Sequence, residues 1–353
     1  MTHIPHSRPF LGRAEQRALH RVITSGQLTQ GEEVEAFERS VASVMGRKHA
    51  AAVQTGTAAL HLALIALGVG RKDNVAIPSY VCSSLLHAVS MVGARPVLID
   101  VDPATFNMDP DDLRRRLRAR TKAIILPHMF GLAAEIDDIV RHGVPVIEDC
   151  AMSLGARYQG RPVGSFGTLS VVSSYATKMI ATGEGGMVLG DRALLLRQVR
   201  DLRSYDGHQR HRTRFNYKMT DLQAALGQAQ INRLASFIRK RSRLASRYER
   251  ALKKGPWELP KLERDHIYYR YVIRIHRGAR RFLSQLNRFG VEARRPVFKP
   301  LHRYLALDGF AGTEEAFRRA VSIPLYPALT KEEARHVIES TQRAGSALSR
   351  LDR

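Results

Sequence analysis

Between residues 50 and 190 the chain alternates short, continuous apolar runs with longer stretches whose apolar residues recur every three or four positions. The short runs are Ala50–Val53, Val75–Ile77, Pro96–Ile99, Ala123–Leu126, Val144–Ile147, Leu169–Ser173 and Met187–Leu189, each read as a buried strand. The spaced patterns at Ala58–Leu67, Ser83–Val92, Pro110–Arg118 and Ile136–His142 are read as helices filling most of the gaps. Strands alternating with helices predict βαβ units, hence an α/β domain with a mostly parallel, seven-stranded sheet flanked by helices. A long helical pattern follows from Thr220 to about Lys253. From Trp257 the texture changes to a strand-like "IYYRYVIRIH", a helix through "RRFLSQLNRFG" and another at Lys331–Ala344. The pattern divides the chain into a large domain with an N-terminal arm, 1–253, and a small α+β domain, 254–353.

In a parallel sheet, ligands gather beyond the carboxyl ends of the strands. The first run ends in "QTGTAAL", where Thr55, Gly56 and Thr57 enter a helix whose free N–H groups form an anion site. The fifth run ends in Glu148 and Asp149, and the sixth in Ser173, Ser174 and, a little further on, Lys178. Singly these parts are ordinary: a helix start, a cap and a surface lysine. Together they match what pyridoxal phosphate asks for. Its aldehyde needs a lysine, its phosphate needs N–H and hydroxyl donors, and its ring nitrogen needs a carboxylate.

The same residues stand in longer strings: "SGQLTQGEEVEAFE", "TGTAALHLAL", "IPSYVCSSLLHAVSMVGARPVLIDVD", "VIEDCAMSLGARYQGRPVGSFG", "SSYATKMIATGEGGMV", "FNYKMTDLQAALGQAQINRL", "KPLH" and "SIPLYPALT". The pattern T-K-x-x-x-x-G-E-G-G, its lysine 29 residues after Asp149, is the most specific. Nearly end to end, the chain resembles the DegT/DnrJ/StrS-type nucleotide-sugar aminotransferases, pyridoxal-phosphate enzymes of the aspartate-aminotransferase-like fold type I. The resemblance implies that Lys178 forms the Schiff base and shuttles a proton. It implies that Asp149 pairs with the pyridine nitrogen, that Gly56, Thr57 and Ser173 hold the phosphate, and that Asn216 reaches the phosphate of the neighbouring subunit. The active site would then be shared across a homodimer. Cys82 stands where the family commonly has an aromatic lying on the ring, and Met152 where it has Gln or His near the cofactor. Lys218 replaces a more usual arginine. Lys299 and His302 of "FKPLH" resemble a substrate-side segment. Some relatives carry histidine in place of the lysine and act as dehydratases; Lys178 argues against that here.

Composition narrows the alternatives. Lys plus Arg is 56 against 33 Asp plus Glu, a net charge of +23 that would draw anions such as nucleic acid, an anionic membrane or a diphosphate-bearing substrate. The basic residues are spread through helical stretches and loops, without a nucleic-acid-binding motif, and are read as solvated faces. Two cysteines, Cys82 and Cys150, do not make a disulfide framework, and the fourteen histidines show no metal-ligand spacing. The most apolar stretch, from Ala50, is interrupted by Gln54, Thr55, Thr57 and His61, and MTHIPHSRPF has no signal-like apolar run; a cytoplasmic protein is expected. His128 in "LPHMFG" could line the pocket or be a structural loop histidine, and Trp257 and Tyr268–Tyr269 are read as packing. The expected activity is transfer of an amino group from glutamate or glutamine to a keto sugar on a nucleoside diphosphate, for a polysaccharide, glycan or secondary metabolite. The alternatives are another pyridoxal-phosphate reaction on this scaffold, a cofactor-binding protein with little catalysis, and a nucleic-acid binder.

Overall fold

The computed structural model of the protein describes residues 3–260 and 265–349. Both outer limits of the two expected domains, and residues 261–264 inside the second, lie outside the described residues.

Two helices open the chain, α1 (Arg13–Ser25) and α2 (Glu32–Met45). The α/β region follows as β1 (His49–Val53), α3 (Gly56–Ala66), β2 (Asn74–Pro78), α4 (Ser84–Met91), β3 (Arg95–Ile99), α5 (Pro110–Arg116), β4 (Thr121–Pro127), α6 (Ile136–Val140) and β5 (Val146–Asp149). A small hairpin, β6 (Arg157–Tyr158) and β7 (Arg161–Pro162), precedes β8 (Leu169–Ser173), β9 (Gly186–Gly190) and α7 (Ala193–Leu202). The seven long strands form one sheet in the order β1-β9-β8-β5-β4-β2-β3. Only β9 runs against its neighbours.

Alternate residues of each strand feed two separate cores, as a sheet covered on both faces requires. Ala51, Val53, Val75, Ile77 and Ile125 pack toward α3, α4 and α7. Ala50, Ala52, Ala76, Ile124 and Leu126 pack toward α2 and α6. Helix α3 is buried on nearly every side, which explains its apolar run GTAALHLALIA.

The helical pattern expected from Thr220 to Lys253 is two helices, α8 (Asp221–Ile231) and α9 (Leu234–Leu252). The break has no glycine or proline to announce it. Gln230 and Arg233 both turn to the Phe10 carbonyl and the Glu15 carboxylate, so the corner is anchored on the N-terminal segment. The remaining elements are β10 (Trp257–Glu258), β11 (Tyr271–Ile275), α10 (Ala279–Arg288), α11 (Leu301–Tyr304), α12 (Ala311–Arg319), β12 (Ala320–Ile323) and α13 (Lys331–Ser349). The strands β10-β11-β12 form a second, antiparallel sheet. Within "IYYRYVIRIH" the strand starts only at Tyr271, because Tyr268 has φ 52° and its neighbours bond to the loop after β4. Trp257 is buried, donates to the Leu252 carbonyl and packs against Phe282.

Two segments meet at the sheet edge more closely than side chains allow. A Cβ on Gly186 would sit 2.2 Å from the Thr55 carbonyl oxygen, and one on Gly56 would sit 2.9 Å from Ser173 Cβ. Gly186→Ala is therefore expected to cost about 2–3 kcal/mol in denaturant unfolding. Gly70→Ala, which meets open space, is expected to stay within about 0.5 kcal/mol of wild type.

Candidate active site

The carboxyl ends of β1, β5 and β8 border one cavity of about 350 Å³. Its lining includes Thr55, Gly56, Thr57, Cys82, Asp149, Met152, Ser173 and Lys178. Five further residues, Val81, Ser84, Pro127, Tyr175 and Glu184, complete much of the wall.

Thr55 is the N-cap of α3, its hydroxyl accepting from the Ala58 N–H at 3.0 Å. The first turn of that eleven-residue helix thus presents Gly56 and Thr57 to the cavity beside Ser173. Lys178 lies in a loop that leaves β8 and returns as β9. The loop is closed by the Ser174 N–H on the Gly185 carbonyl, the Ala176 N–H on that of Gly183, and a 2.7 Å contact between the Ser174 and Thr182 hydroxyls. Lys178 N–H bonds the Tyr175 carbonyl, so the lysine sits on a tight turn. Among the described residues its ammonium has no hydrogen bond or ion pair, and the Tyr269 ring centroid stands 5.5 Å away.

The adjacent carboxylates at the end of β5 are treated oppositely. Glu148 is fully buried and accepts from the Gly164, Phe166 and Gly167 N–H groups at 2.6–2.7 Å and from His128 at 3.2 Å. Burial alone would raise its carboxyl, but the His128 bond and these N–H groups outweigh burial and hold it below the ordinary range. The Ala134 N–H donates to His128 Nδ1, so Nε2 carries the proton that Glu148 receives. His128 is therefore a structural residue of this network and does not line the cavity. Among the described residues the Asp149 carboxylate accepts only from the Ala151 N–H, at 3.0 Å, and it faces the cavity. Burial pushes its carboxyl up, with Ala151 and the charge of Lys178 partly opposing.

These observations fit pyridoxal phosphate. The unpaired amine, the under-satisfied buried carboxylate and the glycine-lined helix start face one space, and an N–H⁺ beside Asp149 would relieve its burial. Cys82 is exposed at the wall, its sulfur 2.9 Å from the Ser84 hydroxyl, and Met152 packs partly against both cores. Three expected residues lie elsewhere. Asn216 is exposed and outside the lining. Lys299 rests over the Tyr304 ring, and His302 is buried between the Ser79 hydroxyl and Glu314. The structure adds Tyr175 and Glu184 to the cavity wall, and both belong to "SSYATKMIATGEGG".

Residues 9–342 match the model of the DegT/DnrJ/EryC1/StrS aminotransferase family. A GDP-perosamine synthase of Caulobacter vibrioides is 36% identical over 324 residues, covering 86% of this chain and 87% of that one. The aminotransferase TlmJ of Streptoalloteichus hindustanus superposes with a TM-score of 0.93 at 30% identity, over 98% of this chain and 100% of TlmJ. DesV of S. venezuelae, solved with a ketimine intermediate, gives 0.87 at 30% identity over 93% of each chain.

Glu148→Gln keeps the shape but loses the charge that four donors surround, and is expected to destabilise the protein by about 2–4 kcal/mol at neutral pH. Because the folded carboxyl is held below its ordinary value of 4.5, its stabilisation is present above that pH and is lost as pH falls through the lower folded value. Denaturant curves of the two proteins should therefore converge as the solution is acidified.

Proposed function

The chain belongs to the DegT/DnrJ/EryC1/StrS aminotransferase family and is a pyridoxal-phosphate-dependent aminotransferase, and from that premise we propose how its residues divide the work on a nucleotide-linked keto sugar. When bound, the cofactor supplies an aldehyde that captures amines and a ring that takes up electrons from the adjoining carbon. Lys178 would hold that aldehyde through Nζ and, as a free amine, would accept and return a proton at that nitrogen. Asp149 keeps a proton on the ring nitrogen. Gly56 and Thr57, at the N-terminus of α3, hold the phosphate together with the Ser173 hydroxyl. Cys82 and Met152 border the ring with small or soft side chains, without the stacking or polar contact of their usual counterparts. The observation that carries this reading is the meeting of an unpaired Lys178, a buried Asp149 and the α3 N-terminus at one cavity.

The acceptor is a keto sugar attached to a nucleoside diphosphate, a reading supported by the name of the GDP-perosamine synthase relative. The net charge of +23 agrees with such an anionic substrate. The donor is glutamate or glutamine: its amino group passes to the sugar carbon, one water supplies the keto oxygen of the 2-oxo acid left behind, and the sugar's carbonyl oxygen leaves as one water, so the water balances. Lys299 and His302 belong to the substrate side by sequence resemblance alone. The same reading makes residues 1–253 the cofactor-binding unit and 254–353 the smaller unit. It also makes the working form a cytoplasmic homodimer in which Asn216 reaches the neighbouring phosphate. The exposure of Asn216 supports that, and no helix of the described residues is long and apolar enough to cross a membrane.

Purified protein given pyridoxal phosphate, glutamate and a nucleoside-diphosphate keto sugar should yield amino sugar and 2-oxo acid in equal amounts by mass spectrometry. Lys178→Ala should lower the rate by roughly 10²–10⁴-fold. A 2-oxo acid without amino sugar would contradict the acceptor, and no exchange with either amino acid would contradict the donor. For the shared site, Lys178→Ala and Asn216→Ala are each expected to be impaired alone and to regain activity when co-expressed as mixed dimers. Mixed dimers no better than either parent would argue for sites built within one chain.

A further inference from the structure

One buried aromatic beside Lys178 lies outside the cavity lining. Tyr269 is 4% exposed, and Lys178 Nζ stands 5.5 Å from its ring centroid. Its hydroxyl receives Arg270 Nη2–H at 3.3 Å and lies 3.5 Å from the hydroxyl of Thr177, the residue preceding the lysine. The guanidinium of Arg270 is 4.8 Å from the same ring, and that of Arg241, on α9, is 6.0 Å away. Arg241 is buried with its N–H groups on the Tyr268, Tyr269 and Leu325 carbonyls. Among the described residues, none of Lys178, Arg241 and Arg270 is ion-paired to a carboxylate. Three cations thus surround one phenol.

The contacts continue outward. Arg270 Nη1 lies 3.0 Å from His6 Nδ1, and arginine can only donate, so Nδ1 accepts and Nε2 carries the proton. That Nε2–H donates to the Ser322 hydroxyl at 2.9 Å. Burial first, then Arg270 and Arg294, push the His6 ring far below its ordinary pKa, which keeps it neutral and able to accept. A continuous set of contacts therefore joins the N-terminal segment, β12 and the loop that bears Lys178.

The backbone is bent to make this possible. Tyr268 and Phe130, both bulky, have φ of 52° and 56°, in the region that favours glycine. They meet where the Ile267 N–H bonds the Gly131 carbonyl and the Arg270 N–H that of Phe130. A Cβ on Gly131 would sit 2.9 Å from the Tyr269 nitrogen, so the approach leaves no room for a side chain there. Strain of this kind persists only where the surroundings over-determine it, and it concentrates at functional sites. Here the turn at Tyr268 directs Tyr269 toward Thr177 and Lys178.

We propose that Tyr269 is a positioning residue for Lys178, its ring seating the ammonium and its hydroxyl coupling the lysine-bearing turn to Arg270 and, through His6, to the N-terminal segment. This rests on the reading of Lys178 as the reacting amine. The charged groups facing the phenol are Arg270, Lys178 and Arg241, with neutral His6 beyond Arg270 and Asp149 beyond Lys178. Burial would raise the phenol, but Arg270, Lys178, the Thr177 hydroxyl and Arg241 outweigh it and bring it to about 7. The pair is therefore readable by titration.

In the full-length protein freed of cofactor, ultraviolet difference spectra should show one tyrosine ionising near neutrality. Tyr269→Phe should abolish that signal, and Lys178→Ala, by removing a cation, should displace it upward by roughly one pH unit. In the cofactor-loaded protein, Tyr269→Phe should lower the pH midpoint of the visible band of the lysine-bound cofactor by roughly one unit, since an anion near the lysine is lost. A neutral-range tyrosine signal that ignores Lys178→Ala, or none at all, would overturn the coupling. So would an unchanged visible midpoint in a Tyr269→Phe protein with wild-type circular dichroism. If that variant fails to fold, the Lys178→Ala titration decides. A wild-type protein that never develops a visible band would instead overturn the reading of Lys178, a failure the cofactor-free titration keeps separate.

Discussion

Everything at this site depends on how closely β9 and the start of α3 approach each other. The Thr55 carbonyl occupies the space where a side chain on Gly186 would be, and Ser173 does the same for Gly56. Two glycines at that crossing let the cap of α3, the end of β8 and the start of β9 share one edge. The loop from Ser174 to Gly185 then has its ends fixed by the β8–β9 ladder, so Lys178 projects from a turn with little freedom. Orientation of this kind is what a reacting amine needs, because misplacement by an ångström is costly in rate.

The second constraint is electrostatic and is set by two neighbouring residues with opposite fates. Glu148 is surrounded by donors and serves as a buried counter-charge that fastens the Gly164–Gly167 segment to β5. Arg47 joins the same knot through the Gly164 and Gly167 carbonyls. Asp149, one residue on, points to the other side of the sheet edge with a single N–H for support. Strand alternation alone separates the two roles. The carboxylate that is satisfied holds the scaffold, and the one left under-satisfied faces the cavity, where a cationic ring nitrogen would complete it.

Much of this was legible in the sequence. The seven strands are short apolar runs bounded by turns, so their places could be read within a few residues, and Lys178, Asp149, Gly56, Thr57, Ser173, Cys82 and Met152 all stand at the expected edge. What escaped comes from contacts distant in sequence. The corner at Asn232–Arg233 is made by Phe10 and Glu15, some 220 residues earlier, and leaves no local signal. Tyr269 looks like one more apolar position in a strand-like run until the left-handed backbone at Tyr268 turns it toward Lys178. His302 resembles a ligand residue by its motif, yet both ring nitrogens are taken by Ser79 and Glu314.

The central claim is that Lys178 is the amine that holds the cofactor. Reducing the cofactor-loaded protein with borohydride fixes any lysine–cofactor bond, and peptide mass spectrometry then locates it. The account predicts a phosphopyridoxyl group on the peptide containing Lys178 and on no other lysine. The same label on a different lysine, or no label in a protein that has bound the cofactor, would contradict it.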